Sequence, residues 1–286
     1  MKIIVDTYIK QYELENHDDI INITEPMYHI IFEEFSPKSI KIILQNQVPV
    51  GWFYYTIPES SLYSGFVFVY VSPVHRRKGI GSFVYKEIEK IFQSIGCDWW
   101  SSYPECEAAE KFAISVGFDF TNTNYELEHS GILISSNTDG IRKCTFDDYP
   151  EVPNLWTKEY GRMHTQLGFP STEKQLSDEE KQEEYKDFCN NINNYFVLEA
   201  EGKIVGMGCL FSNNSGIGSL AVGSEYSGKG YGTKLAVFLT NECIRRGNSH
   251  PVLSCEGGNK NAIHIYQKIG YSIKNKESVA LHLRSK

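Results

Sequence analysis

Two short segments of this chain carry residues suited to holding an anion. Val71 to Gly81 reads VSPVHRRKGIG, and Val222 to Gly232 reads VGSEYSGKGYG. In each, an apolar run ends in Val, a polar turn follows, and a Gly-x-Gly pair opens a long amphipathic stretch. Glycines at alternate positions keep the backbone clear of Cβ atoms, so several N–H groups can converge on one anion. A helix that begins immediately afterwards adds its unpaired N–H groups and its dipole at the same point. The pattern predicts a phosphate or pyrophosphate site, with Lys229 beside one loop and Arg76, Arg77 and Lys78 beside the other. Its bland counterpart is a tight strand-to-helix turn that binds nothing, and two copies in the same context weigh against that. Two commoner nucleotide signatures do not fit. Gly223 to Lys229 matches GxxxxGK, but Gly230 stands where a P-loop needs a Ser or Thr hydroxyl. The spacing Gly228-x-Gly230-x-Gly232 is not GxGxxG, and no parallel βαβ order surrounds it.

The two loops belong to a longer repeat. Val71 and Val222 lie 151 residues apart, as do Gly79 and Gly230. Gly117-Phe118 and Gly270-Tyr271 follow at an offset of 153, and Gly51 and Gly206 precede at 155. A period this long is the size of a domain, which points to duplication. The reading is two similar halves, residues 1–135 and 136–286, joined near 130–140. In the second half YFVLEA (195–200), KIVGMGCLF (203–211) and SGIGSLAV (215–222) read as an antiparallel meander. A helix over 231–246, a strand at 251–255, a helix over about 259–268 and strands near 271–274 and 278–284 follow. The region 147–190 before the meander is helix-rich. The first half repeats this with strands at 39–45, 49–57 and 63–71, helices at about 80–95 and 105–116, a strand at 98–102 and a strand pair around 118–129. No separate last strand is visible before the connection, which leaves open that one half borrows an edge from the other. The expected fold is α/β (α+β), each half a mixed, mostly antiparallel sheet flanked by helices.

Composition narrows the chemistry. A formal charge of −8 argues against nucleic acid as a partner and mildly favours a cationic small molecule. Seven scattered cysteines without Cys-x-x-Cys read as reduced thiols, and the histidines offer no ligand spacing, so no metal is expected. MKIIVDTYIKQYELE has no basic stretch followed by an apolar core, and no run approaches the roughly 20 apolar residues of a membrane span. The expectation is a cytoplasmic protein without a membrane partner, a monomer or a homodimer.

The string RRKGIG with the helix after it, and NKNAIHIYQKIGY (259–271) downstream, resemble the acyl-CoA-binding loop and the following helix of GNAT-superfamily N-acetyltransferases. The resemblance covers both halves, so the chain resembles a tandem GNAT protein. It implies acetyl-CoA as co-substrate, its pyrophosphate held by the (Q/R)xxGx(G/A) loop and its pantetheine by the end of the preceding strand. In the first half Arg76, Arg77, Gly79 and Gly81 match the loop, but Ala113 stands where the family often has Tyr. In the second half Ser227 replaces the opening Gln or Arg, while Gly228, Lys229, Gly230 and Gly232 remain, with Leu220 and Val222 on the strand and Asn259 and Tyr266 on the helix. The resemblance makes Tyr266 the acid that protonates the departing thiolate, with catalysis in the second half and a supporting, CoA-binding first half.

Glu256, at the end of the strand PVLSC, is the candidate base, although a lone carboxylate there is often just solvated. Cys255 has no histidine partner and reads as a buried thiol, which favours direct transfer over an acyl-enzyme. The expected reaction moves an acetyl group from acetyl-CoA to a primary amine of a small acceptor. The alternative is a non-catalytic acyl-CoA sensor or scaffold with degenerate GNAT domains. The acidic run STEKQLSDEEKQEEYKD (171–187) and the aromatics Trp156, Tyr160 and Phe169 are open between acceptor pocket and ordinary surface or core.

Overall fold

A computed structural model describes residues 7–10, 18–26, 40–57, 65–135, 137–149, 151–169 and 178–283. The first residues of the acidic run, 171–177, lie outside them. The chain forms two compact units, one of Met1–Glu59, Tyr63–Thr121 and Val279–Lys286, the other of Ser60–Leu62 and Asn122–Ser278.

In the first unit β1 (Thr7–Lys10), β2 (Lys41–Gln45), β3 (Val48–Thr56) and β4 (Gly65–Val71) form an antiparallel meander. Asn46 and Gln47, both at positive φ, make the two-residue turn between β2 and β3, a conformation whose twist matches that of the strands it joins. β5 (Trp99–Ser102) joins β4 in parallel, and Ala280–Leu283, from the end of the chain, pair antiparallel with β5. α1 (Asp18–Ile21) adjoins a cluster of Ile20, Trp52 and Tyr70, while α2 (Ile80–Ser94) and α3 (Glu107–Ser115) supply residues to the main core with Phe53, Val67 and Trp100. α2 buries Ile80, Val84, Ile88 and Phe92, the single stripe that helical spacing sets toward the sheet.

The second unit takes β6 (Asp119–His129) from residue 122 onward, then β7 (Ile141–Lys143), α4 (Glu151–Gln166), α5 (Asp178–Asn191), β8 (Tyr195–Ala200), β9 (Lys203–Leu210), β10 (Ile217–Val222), α6 (Tyr231–Arg245), β11 (Val252–Glu256), α7 (Lys260–Lys268) and the start of β12 (Tyr271–Leu283). One sheet has the order β10-β9-β8-β7, all antiparallel, and β11 pairs antiparallel with β6. Gly206 and Gly208 let α6 lie close on β9: a Cβ there would fall 2.8 Å from Leu235 Cδ1 and 2.5 Å from Leu239 Cδ1.

Two regions read from the sequence as strand pairs, 118–129 and 271–284, are each one long strand through residue 129 and residue 283. Their Asn-rich middles suggested turns, yet Asn122, Asn124 and Asn275 lie within extended strands and none has positive φ. Each strand begins in one unit and ends in the other, so the missing last strand of the first half is Val279–Leu283.

Gly216 and Val252 form a single parallel bridge where β10 and β11 begin. A Cβ on Gly216 would sit 1.6 Å from Val252 O and 2.6 Å from its carbonyl carbon, both backbone atoms that have no rotamer to escape into. Gly216→Ala is expected to destabilise the protein by about 3 kcal/mol or more, beyond ordinary overpacking, with denaturant unfolding as the measurement. An unchanged midpoint would mean that the two strands do not approach in this way.

Candidate functional site

Both glycine loops have the same backbone. Gly79 (φ 82°, ψ −1°) and Gly230 (φ 82°, ψ 0°) precede α2 and α6, and neither helix start has a side-chain cap. Their first N–H groups, which have no acceptor within the helix, are left for a ligand. A Cβ at Gly79, Gly228 or Gly230 would meet nothing within 4 Å, so the space over each loop is open. Gly228 is left-handed at φ 77°, and in the other loop Arg77 adopts the same conformation at φ 62°. A side chain in that region costs about 1 kcal/mol.

The cationic side chains differ between the copies. Arg76 Nε donates to Val71 O at 2.8 Å, its guanidinium pairs with Glu25, and it lies 5.5 Å from the Tyr70 ring. Lys78 Nζ donates to Val74 O at 2.9 Å. Lys229 Nζ sits 5.2 Å from the Tyr226 ring, and Ser227 follows the short 3-10 turn of Ser224–Tyr226.

In front of each loop a strand splays from its parallel neighbour. β4 pairs with β5 at Gly65–Trp100 and Phe66–Ser101, at the start of β4. Among the described residues β10 meets β11 at the Gly216–Val252 bridge and belongs to a different sheet beyond it. Gly223 N–H donates to Val205 O at 2.9 Å, which makes Val222 and Gly206 a non-hydrogen-bonded pair. Val222, and Leu220 two residues before it, therefore turn their N–H and C=O away from β9, toward the open edge. Such N–H groups can polarise an acyl carbonyl.

Tyr266 is buried on α7, in a cluster with Leu253, Cys255 and Tyr271. Burial first, then the neighbouring Cys255 and Tyr271, pushes its phenol well above the usual value. Its proton is held at neutral pH. Cys255, pushed up to about 12 by burial and then by Glu256, is no thiolate at neutral pH. Glu256 closes β11 opposite Asn124, and its Oε2 is buried without a hydrogen-bond partner. Burial raises its carboxyl above the usual range. Asn259 caps α7, its Oδ1 accepting from Ala262 N–H at 3.2 Å.

The model of the Acetyltransferase (GNAT) family matches residues 5–118 and again 154–271. The chain belongs to the GNAT family. A GCN5-related N-acetyltransferase from Sphaerobacter thermophilus matches with a TM-score of 0.60 at 14% identity, over 89% of this chain and 85% of that one. A tandem GNAT protein of the clavulanic acid biosynthesis pathway gives 0.54 at 13%, over 88% and 86%. A structure described as a putative acetyltransferase from Pyrococcus horikoshii gives 0.56 at 13%, over 100% and 92%. These likenesses are of fold. No curated protein matches the sequence.

The GNAT repeats can be superposed on their own contacts. A Cβ on Gly81 would touch the Phe112 ring at 3.2 Å, and one on Gly232 would touch Ile265 Cδ1 at 3.3 Å. Phe112 and Ile265 thus share a place, and the next residues, Ala113 and Tyr266, share another. The first GNAT repeat has no phenol there.

Three buried polar residues of the second unit stand outside the sites read from the sequence. Glu159 of α4, buried, accepts from Ser224 N–H at 3.0 Å and from Arg162 Nε at 2.8 Å. Burial would raise its carboxyl, but these hydrogen bonds outweigh it and hold it low. His164, one turn later, stacks on Phe169 with ring centroids 4.4 Å apart. Asn122 of β6 is buried. The i, i+4 run Trp156, Tyr160, His164 was a sequence signal of one helix face. Nothing in sequence marked Asn122. Among the described residues no group of three His, Cys, Asp or Glu could hold a metal, and no helix is long and apolar enough to cross a membrane.

Proposed function

We propose that the second half, residues 136–286, is an acetyl-CoA-dependent N-acetyltransferase acting in the cytoplasm on a primary amine of a small acceptor. The observation that carries this reading is the uncapped, glycine-led start of α6 at the end of splayed β10, with a proton-retaining Tyr266 beside β11. Gly228, Lys229, Gly230 and Gly232, with Ser227 at the loop entrance, take the pyrophosphate. The N–H groups of Leu220 and Val222 take the pantetheine and the thioester carbonyl, and Asn259 positions α7. The amine nitrogen bonds to the carbonyl carbon and the C–S bond breaks. Glu256 accepts the proton that the amine gives up, and Tyr266 supplies one to the departing sulfur. The first half is a supporting domain: its loop residues Arg76, Arg77, Gly79 and Gly81 are those of a CoA loop, but Ala113 cannot donate a proton. The sensor reading predicts binding without turnover. Calorimetric titration of acetyl-CoA, followed by a search for amine-dependent release of CoA thiol, tests the proposal. Absence of binding at millimolar acetyl-CoA would overturn it.

Glu256 gives a prediction with two opposite signs. Its carboxyl lies above the unfolded value because burial disfavours the charge. The protonated form is the one the fold tolerates, so stability is highest below the unfolded pKa and falls as pH rises through the folded one. Glu256→Gln is therefore expected to raise the thermal midpoint at pH 7 while lowering turnover about a hundredfold, the usual worth of a general base. Thermal melts at pH 4 and pH 7 beside steady-state rates check both. A less stable Gln variant at pH 7 would mean that the carboxylate is paired.

A further inference from the structure

Three side chains of the second unit have buried polar atoms without a hydrogen-bond partner: Glu256 Oε2 at the end of β11, Asn122 Nδ2 on β6, and both Nδ1 and Nε2 of His164 on α4. His164 is 3% exposed and Asn122 7%. Buried polar groups in native proteins are almost always satisfied, so a cluster of orphans asks for what satisfies it.

Strand pairing relates Asn122 to Glu256, and a contact of Leu167 relates the end of α4 to the end of β11. Glu256 is directly opposite Asn124 on β6, and Gly257 N–H donates to Thr123 O at 2.6 Å, so the contact between the two segments reaches the residue next to Asn122. Alternation along a strand puts Asn122 on the same sheet face as Asn124 and Glu256. On Gly258 a Cβ would fall 2.4 Å from Leu167 Cδ2. Leu167 lies three residues after His164, and its N–H donates to His164 O at 3.0 Å, so the last turn of α4, which begins at His164, adjoins the end of β11. The His164 ring is fixed between Tyr160 at 4.0 Å and Phe169 at 4.4 Å.

We propose that Glu256, Asn122 and His164 form the acceptor subsite, and that the acceptor is a hydroxylated primary amine, an amino alcohol or an amino sugar. This rests on the acetyltransferase reading above. The chemistry follows from the unmatched atoms. Glu256 Oε2 accepts from the amine. The Asn122 amide needs an oxygen acceptor, and a neutral imidazole needs one donor and one acceptor. A hydroxyl beside the amine supplies both functions. An alkyl polyamine brings donors alone and would leave Asn122 unpaired.

The test is calorimetric titration of trans-2-aminocyclohexanol and of cyclohexylamine, which differ by one hydroxyl, into the full chain and into Asn122→Leu. The wild-type protein is expected to bind the amino alcohol at least tenfold tighter, and Asn122→Leu to bring the two within threefold. The variant should melt no lower than wild type, because it removes an unsatisfied donor. Equal affinities in wild type, no binding of either amine, or a preference that survives Asn122→Leu would overturn the proposal. Should that variant not fold, the wild-type preference still decides, and His164→Phe repeats the comparison. A preference found in a protein that binds no acetyl-CoA would remove the acetyltransferase reading and leave the subsite standing.

Discussion

Replacing Tyr266 with Phe is expected to lower kcat for amine acetylation by about a hundredfold or more, the range of a lost general acid, with little change in acetyl-CoA affinity. Tyr266 is buried on α7, and burial first, with Cys255 and Tyr271, holds its phenol protonated far above neutral pH. That suits a group which must still carry its proton when the thiolate departs. Among the described residues its hydroxyl has no hydrogen-bond partner, so the Phe variant orphans nothing and keeps the ring that fills the cluster with Leu253, Ile263 and Tyr271. The thermal midpoint should therefore stay near that of wild type while turnover collapses. Steady-state rates, melts and acetyl-CoA titrations on the one variant separate the acid from the filler. A variant that turns over like wild type would take Tyr266 out of the mechanism.

The second large effect is expected at the loop. Gly230→Asp should weaken acetyl-CoA binding by on the order of a hundredfold, equivalent to about 3 kcal/mol, and Gly79→Asp should leave turnover unchanged. Gly230 sits at φ 82° with open space over its Cβ position, a conformation that Asp tolerates better than most residues. The new carboxylate would occupy the concavity where N–H groups face an anion, so charge repulsion rather than misfolding carries the loss. Calorimetry with acetyl-CoA and steady-state rates on both variants read the result. Loss of turnover in Gly79→Asp with retention in Gly230→Asp would move the chemistry to the first half.

The loops were legible in the sequence because their shape is written in local residue types. Gly79 and Gly230 adopt a left-handed conformation that a side chain disfavours, and the helix after each follows from its apolar periodicity. The same local signal located α7, whereas Tyr266 was singled out by the family resemblance. β6 and β12 were harder. Asn122, Asn124 and Asn275 have turn-like propensity, and tertiary pairing overrides it by giving their strands partners. Arg77 is a related case: its left-handed φ of 62° shows a non-glycine residue held in a conformation its own chemistry opposes.

By itself the sequence determined the duplication, the strand-loop-helix units, and which half has a phenol at the position of Tyr266. These are local or periodic properties, carried by residues a few positions apart or by a constant offset. The tertiary structure alone decided that Val279–Leu283 complete the first unit, that Glu159 holds Ser224, and that polar atoms of Asn122, His164 and Glu256 are buried without a partner. Those three lie on β6, α4 and β11, as much as 134 residues apart in the chain. Long-range pairing and burial set their surroundings, and neither is encoded in the spacing of the residues concerned.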